Sequence, residues 1–258
     1  MSETDSSEPG TALVTGASAG IGAALAREFA AHGHDVVLVA RREERLGHLA
    51  GELEAKGVTA TPMVMDLDDA AAAMELHEEV TDRGLDVDIL VNNVGVGTYG
   101  PFAGSDLDEE RTQLRLNVVL PVELTRLFLD DCRKVLNLGS MAGMAPGPGL
   151  STYYASKAYV NSFTEAIAEE LRDEVDVTLI CPGPVDTEFA DRAGMGESSV
   201  GSISSNTPEN VAEAAYAGLM AGETVVVPSR AMRIVDLLRR VVPRSVVRRV
   251  TQWVNSGR

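Results

Sequence analysis

The chain has little that would cross-link it, hold a metal or cross a membrane. Its 258 residues include two cysteines, Cys132 and Cys181, which fit no disulfide framework and no zinc-ligand spacing. That usage points to a reducing compartment, two buried thiols and no metal centre. No apolar run approaches the ~20 residues a spanning helix requires, which excludes a transmembrane protein. Aromatic residues make up only 4% and lysine is confined to Lys56, Lys134 and Lys157. Residues 1–10 are acidic and polar with no apolar signal region, so they read as a frayed tail on a cytoplasmic protein. What is present is a 45% hydrophobic fraction and 24 glycines, enough for a sizeable core with many tight turns.

The formal net charge of −17 argues against nucleic acid as a partner, since phosphate binding needs a cationic footprint. The charge is unevenly placed. Residues 229–258 hold eight arginines against Asp236 alone, so the acid excess lies in the rest of the chain. An acidic, lysine-poor surface stays hydrated in high salt, where repulsion is screened, and this suggests a halophilic source. An acidic mesophilic protein is the competing reading.

Short β-branched runs alternate with helical stretches throughout. Strands are expected at 11–15, 35–40, 58–65, 88–91, 134–138, 176–180 and 224–227. Helices are expected at 21–32, 43–56, 69–83, 107–129 and 152–172, with another opened by Thr207 and Pro208. Such alternation predicts an α/β fold, a doubly wound Rossmann arrangement with a seven-stranded parallel sheet flanked by helices. A ligand then belongs beyond the carboxyl ends of the strands, where strand order reverses. Residues 11–228 read as one domain, preceded by the tail of residues 1–10 and followed by a basic extension, 229–258.

Two patterns carry chemistry. Thr15-Gly16-Ala17-Ser18-Ala19-Gly20-Ile21-Gly22 joins the first strand to its helix, and its glycines let the backbone turn sharply and approach a pyrophosphate at the helix amino terminus. Tyr153 and Lys157, four apart on a helix, share a face. An ammonium favours an ionised phenol, so the pair forms a proton donor or acceptor usable near neutrality. Tyr154 competes for that role, and a plain surface pair is the bland alternative.

Together with Asn92-Asn93-Val94-Gly95, Asn117, Ser140 and Pro182-Gly183-Pro184-Val185-Asp186-Thr187, these patterns stand in the order of the short-chain dehydrogenase/reductase family, which the chain resembles over residues 11–228. The resemblance implies hydride transfer between a nicotinamide and a carbonyl or alcohol. Tyr153 would be the general acid, and Lys157 would lower its pKa and hold the nicotinamide ribose. Ser140 would bind the carbonyl, its alternative being a turn-forming serine. Asn117 would hold a water leading to the lysine, its alternative being an exposed helical amide. Gly16, Ser18, Gly20, Ile21, Gly22, Asn93, Gly95, Pro182, Gly183, Val185 and Thr187 would line the cofactor. Asp66 would meet the adenine edge with Leu67 beneath it, unless Asp66 or Asp68 merely caps the next helix. Val94 replaces the family's alanine, and its bulk shifts packing without abolishing binding. A catalytically silent, dinucleotide-binding or membrane-associated relative is the other reading.

Where an NAD site usually places a carboxylate after the second strand, this chain has Arg41 and Arg42, which suit the 2′-phosphate of NADP (NADPH) by charge and forked hydrogen bonding. The alternative pairs them with Glu43 and Glu44. Residues 96–102, 143–150 and 184–205 should line a pocket that is apolar, small and flexible, fit for a small hydrophobic ketone, aldehyde or 3-oxoacyl thioester. Asn117 and Ser140 lie closer in sequence than is usual in the family, which shortens the long helix. That face commonly makes subunit contacts in the family, so a homo-oligomer, dimer or tetramer, is implied. Residues 232–254 form two short amphipathic helices around Pro243. One stripe carries Ile234, Leu237, Leu238 and Val241, the next Val246, Val247, Val250, Trp253 and Val254. They read either as a lid or subunit contact docking on the acidic body or as a peripheral anchor for anionic lipid.

The acid excess predicts loss of folded structure when salt is withdrawn. Far-UV circular dichroism during dialysis into low-salt buffer reads this directly, and a spectrum indifferent to salt removes the halophilic reading.

Overall fold

Seven short strands form one parallel sheet: β1 (Ala12–Thr15), β2 (Val36–Ala40), β3 (Ala60–Val64), β4 (Ile89–Asn92), β5 (Lys134–Leu138), β6 (Asp176–Ile180) and β7 (Val225–Val226). In the computed structural model, residues 9–195, 206–229, 232–234 and 242–255 are described. Strand order is β3-β2-β1-β4-β5-β6-β7, every pair parallel, so the order reverses between β1 and β4 as the doubly wound reading requires.

Both faces of the sheet are covered, which is why the strands read as near-continuous apolar runs. Side chains still alternate. Ala12, Val14, Val36 and Leu38 join one core with α1 (Gly20–Ala31), α2 (Glu43–Glu54) and α8 (Pro208–Met220), through Leu25, Phe29, Leu46, Leu53 and Leu219. Leu13, Val37, Val39 and Val135 join the other with α3 (Ala72–Asp82), α5 (Leu120–Phe128) and α6 (Ser151–Glu170), through Leu76, Leu124, Phe128 and Ala168.

The expected helix at 107–129 is present but not uniform. α4 (Leu107–Leu114) passes through a π-helical turn at Arg115–Val119 into α5. Pro121 explains the change of pitch: it has no N–H for the carbonyl of Asn117 four residues back, so the ladder re-forms with wider spacing. Asn117 sits inside that turn. The connection after Phe128 is compact, Asp131 N and Cys132 N both donating to Phe128 O, at 3.1 and 2.9 Å, just before β5.

Of the expected tail, residues 1–8 lie outside the described residues, and Gly10 is not frayed. Its carbonyl lies 2.8 Å from His34 Nδ1, His34 Nε2 lies 3.1 Å from the Tyr216 hydroxyl, and Thr11 N donates to Asp88 Oδ2 at 2.9 Å. At the other end, Leu237, Leu238 and Val241 are outside the described residues, as are residues 196–205 of the segment 184–205 expected to line the pocket. The second basic helix is α9 (Arg244–Asn255), and its apolar stripe is split. Val247 and Val254 are partly buried, whereas Val246, Val250 and Trp253 face outward. A polar residue makes the docking contact instead: buried Asn255 accepts from the Tyr154 hydroxyl at 3.1 Å and donates to Pro148 O at 3.0 Å.

A buried polar chain ties four elements, β4, β5, α5 and α6, across the second core. Asn92 Nδ2 donates to Asn137 Oδ1 at 2.9 Å and to Thr125 Oγ1 at 3.1 Å, and Asn137 Nδ2 donates to Thr164 Oγ1 at 3.0 Å. Asn137→Ala removes the middle link and is expected to cost about 1–3 kcal/mol, the range for leaving buried polar groups unmatched. Urea denaturation measures it, and an unchanged midpoint would show that the chain of amides carries no stability.

Candidate active site

The first feature is the turn between β1 and α1. Gly16 (φ +68°) and Gly20 (φ +54°) occupy the left-handed region, which favours glycine. A Cβ on Gly22 would collide with Gly16 O and with Asn93 Nδ2. Asn93 braces the turn from β4: its N donates to Thr15 Oγ1 at 3.0 Å and its Nδ2 to Thr15 O at 2.8 Å. Val94 is accommodated there, its amide also donating to Thr15 Oγ1 at 3.3 Å. α1 begins without a capping side chain, Ala19 being its N-cap, and has no acidic residue in its first turn. Its leading N–H groups therefore suit an anion such as a diphosphate. Ile21 points the other way, packing on the first core.

Beside this turn lie the residues expected at the adenosine end. Leu67 is buried, and Asp66 is exposed, its Oδ2 3.8 Å from Arg41 Nη1. Neither expected cap for α3 serves it: Asp66 Oδ1 accepts from Asp68 N at 3.2 Å, and Asp68 is held by Thr112 and Arg115. Asp69 makes the local turn instead, accepting from Ala71 N at 2.9 Å. The arginines also differ from their bland alternative. Arg42 turns to Ser18 Oγ, donating from Nε at 3.0 Å, and to Glu188 at 2.9 Å, rather than to Glu43 or Glu44.

α6 places Tyr153, Lys157 and Asn161, spaced four apart, on one face. Lys157 is 4% exposed and its Nζ donates to Leu138 O at 2.6 Å. Asn161, which sequence reasoning missed, grips the backbone of Ser140 from both sides: its Nδ2 donates to Ser140 O at 3.0 Å and its Oδ1 accepts from Ser140 N at 3.3 Å. The i+4 spacing from Lys157 was its only sequence signal. Ser140 also serves as a turn serine, its Oγ accepting from Ala142 N at 3.0 Å, so the structural role is real alongside any chemical one. Asn117 is buried rather than exposed. Its Oδ1 accepts from Val96 N at 2.9 Å, and its Nδ2 donates to Val96 O at 2.8 Å and Ser156 Oγ at 3.0 Å. A Cβ on Gly95 would stand 3.3 Å from Lys157 Nζ and 3.5 Å from Asn117 Oδ1, so glycine there keeps the strand end close to both.

Burial sets the ionisation of the pair. It pushes the Tyr153 phenol up to about 12, with a hydrogen bond to Ser140 pulling the other way, and it pushes Lys157 down to about 8. The ammonium points at Leu138 O, and the expected lowering of the phenol does not appear in the protein alone. At neutral pH the phenol holds its proton, the form a general acid needs.

Over Tyr153 lies an apolar cluster of Leu150, Ala193 and Met195 with Tyr99, Tyr154 and Phe189. The Phe189 ring stands 5.0 Å from that of Tyr153. The three expected pocket segments thus converge, Tyr99 N donating to Ala193 O at 2.8 Å and Gly100 N to Gly149 O at 2.9 Å. The motif of residues 182–187 runs between this cluster and the glycine turn. Pro182 O accepts from Met141 N at 3.0 Å, Gly183 lies against Met232, Val185 bridges to Asn206 and Thr187 packs on Gly20.

Residues 10–197 match the short chain dehydrogenase family, and the chain belongs to this short-chain dehydrogenase/reductase family of oxidoreductases. It is 37% identical over 179 residues to a very-long-chain 3-oxoacyl-CoA reductase of Mycosarcoma maydis, covering 66% of this chain and 51% of that one. It is 37% identical over 185 residues to sulfoacetaldehyde reductase 2 of Chromohalobacter salexigens, covering 69% and 73%. The chain therefore spans about half the length of the first of these relatives. Among solved structures, a Sphingobium yanoikuyae short-chain dehydrogenase in complex with NADPH superposes with TM-score 0.78 at 29% identity, covering 91% of this chain and 97% of that one. A 7β-hydroxysteroid dehydrogenase gives TM-score 0.82 at 27% identity, covering 93% and 96%. Among the described residues, no helix is long and apolar enough to cross a membrane, and no three metal-ligating side chains cluster.

The low Lys157 value makes stability depend on pH. Between its ordinary 10.5 and about 8, the unfolded chain takes up a proton that the folded chain resists, so stability falls as pH drops through that window. The slope is at most about 1.4 kcal/mol per pH unit. Lys157→Met is expected to remove it. Denaturation midpoints of wild type and variant at pH 8 and 9, below most of the range in which the raised Cys132 thiol gives a slope of opposite sign, check it as the difference between the two proteins, and a variant with the wild-type slope would exclude Lys157 as its source.

Proposed function

We propose that the protein reduces the carbonyl of a small hydrophobic ketone, aldehyde or 3-oxoacyl thioester, or oxidises the matching alcohol, with NADP(H) as cofactor. The observation that carries this reading is the placement of Tyr153: its ring lies within the apolar cluster beside Ser140, whereas the competing Tyr154 has committed its hydroxyl to Asn255.

Gly16, Ser18, Gly20 and Gly22 would hold the diphosphate and adenosine ribose, Arg41 and Arg42 a 2′-phosphate, and Lys157 with residues 182–187 the nicotinamide end. NADPH, when bound, supplies the hydride. Tyr153 keeps a proton on its hydroxyl and gives it to the carbonyl oxygen as negative charge grows there. The Ser140 hydroxyl holds that oxygen, contributing placement and charge stabilisation. Buried Lys157 adds positive charge near Gly95 and favours the tyrosinate left after proton transfer. Tyr99, Leu150, Phe189 and Met195 exclude water and favour an apolar substrate. Support for a carbonyl substrate comes from relatives named as 3-oxoacyl-CoA and sulfoacetaldehyde reductases, and for the cofactor from a neighbour solved with NADPH.

Tyr153→Phe is expected to lower kcat by about 10²–10⁴-fold, the usual contribution of a positioned general acid, while NADPH binding followed by fluorescence is unchanged. Turnover is screened with NADPH and NADH over ketones and aldehydes of graded chain length. A wild type inert across the series would favour the silent dinucleotide-binding reading, and a preference for NADH would discard the assignment of Arg41 and Arg42.

A further inference from the structure

Glu188 stands where three guanidiniums converge. Its Oε1 accepts from Arg45 Nη1 at 2.6 Å, its Oε2 accepts from Arg42 Nη1 at 2.9 Å, and Arg192 Nη2 also donates to Oε2. Arg42 is fixed in turn by Ser18 Oγ in the glycine turn. The arginines hold the carboxyl at about 2, well below the usual carboxylate range. One carboxylate nevertheless neutralises only one of three positive charges and offers two oxygens to three forked donors. A phosphomonoester, with more oxygens and up to two charges, matches the cluster better.

The seat is built from both sides of the crevice. Ser18, Arg42 and Arg45 belong to the first two strand–helix units, whereas Glu188 and Arg192 belong to the segment around the single-turn helix α7 (Phe189–Arg192). In that segment Thr187 packs on Gly20 and Phe189 on Tyr153. The residue that fills the anion seat is thus adjacent to the one that covers the phenol.

Resting on the cofactor reading above, we propose that Arg42, Arg45 and Arg192 form a seat for the 2′-phosphate of the dinucleotide, and that Glu188 is its resident occupant, which the phosphate displaces. Glu188 then sets how tightly a 2′-phosphorylated nucleotide binds. Its release also couples occupation of the seat to the position of Phe189 over Tyr153. Arg45 and Arg192 become cofactor ligands that neither strand-end spacing nor motif order identified.

Calorimetric titration of the full chain and of Glu188→Gln with 2′,5′-ADP, 5′-AMP and inorganic phosphate tests this. Glutamine keeps the shape and removes the charge. The expected result is 2′,5′-ADP binding tighter by on the order of tenfold in the variant, with 5′-AMP unchanged. Adding Arg45→Gln to that variant is expected to reverse the gain. Equal or weaker 2′,5′-ADP binding in Glu188→Gln overturns the proposal, because Glu188 would then organise the arginines rather than occupy their site. A gain for inorganic phosphate as large as that for 2′,5′-ADP also overturns it, showing a general anion site. Binding of 5′-AMP without preference for 2′,5′-ADP in either protein refutes the seat while leaving dinucleotide binding intact. Failure of both nucleotides to bind either protein refutes the cofactor reading itself.

Discussion

The register of α6 against β5 is what everything at the site depends on, and it is fixed by polar bonds rather than by apolar packing alone. Three rungs span the pair: Lys157 Nζ to Leu138 O, Asn161 to both backbone groups of Ser140, and Asn137 to Thr164. Apolar surfaces can slide by a fraction of a turn at small cost, because dispersion contacts are numerous and weak. Buried hydrogen bonds cannot, since each lost partner leaves an unsatisfied group. The rungs therefore hold Tyr153 opposite Ser140 to within hydrogen-bonding tolerance.

That same burial sets the chemistry. Closing α6 onto the strand end withdraws Tyr153 and Lys157 from water, and the two shifts it causes run in opposite directions because one group is charged when deprotonated and the other when protonated. The result is a protonated phenol beside a lysine whose charge is easily lost. Asn117 contributes by pinning Val96, which ends the segment leading from the glycine brace to the pocket. Its π-helical turn follows from Pro121, so a backbone irregularity at the site has a local sequence cause.

The fold was legible because strand and helix periods differ and the strands, covered on both faces, are unmistakably apolar. The glycine turn was legible for a related reason: φ values like those of Gly16 and Gly20 favour glycine, and only its absent Cβ lets Asn93 approach Gly22. Asn161 was not, since a buried amide on a helix looks the same in sequence as an exposed one until its partner is known. Glu188 fell unnamed within the pocket segment expected at 184–205, because its partners Arg42 and Arg45 lie more than 140 positions away. The docking of α9 through Asn255 was hidden by its own apolar pattern, which suggested that Val246, Val250 and Trp253 would face inward.

For an acidic chain a polyanionic ligand would carry a long-range cost, because a net charge of −17 opposes it before any contact forms. Concentrating Arg41, Arg42, Arg45 and Arg192 at one end of the crevice offsets that field locally. Left without counterions, the same guanidiniums would repel one another and splay the loops that carry them. Asp66 beside Arg41 and Glu188 among the other three relieve the repulsion. With Glu188 as the seat's resident anion, the more strongly these guanidiniums hold it, the more a ligand phosphate would have to offer to replace it.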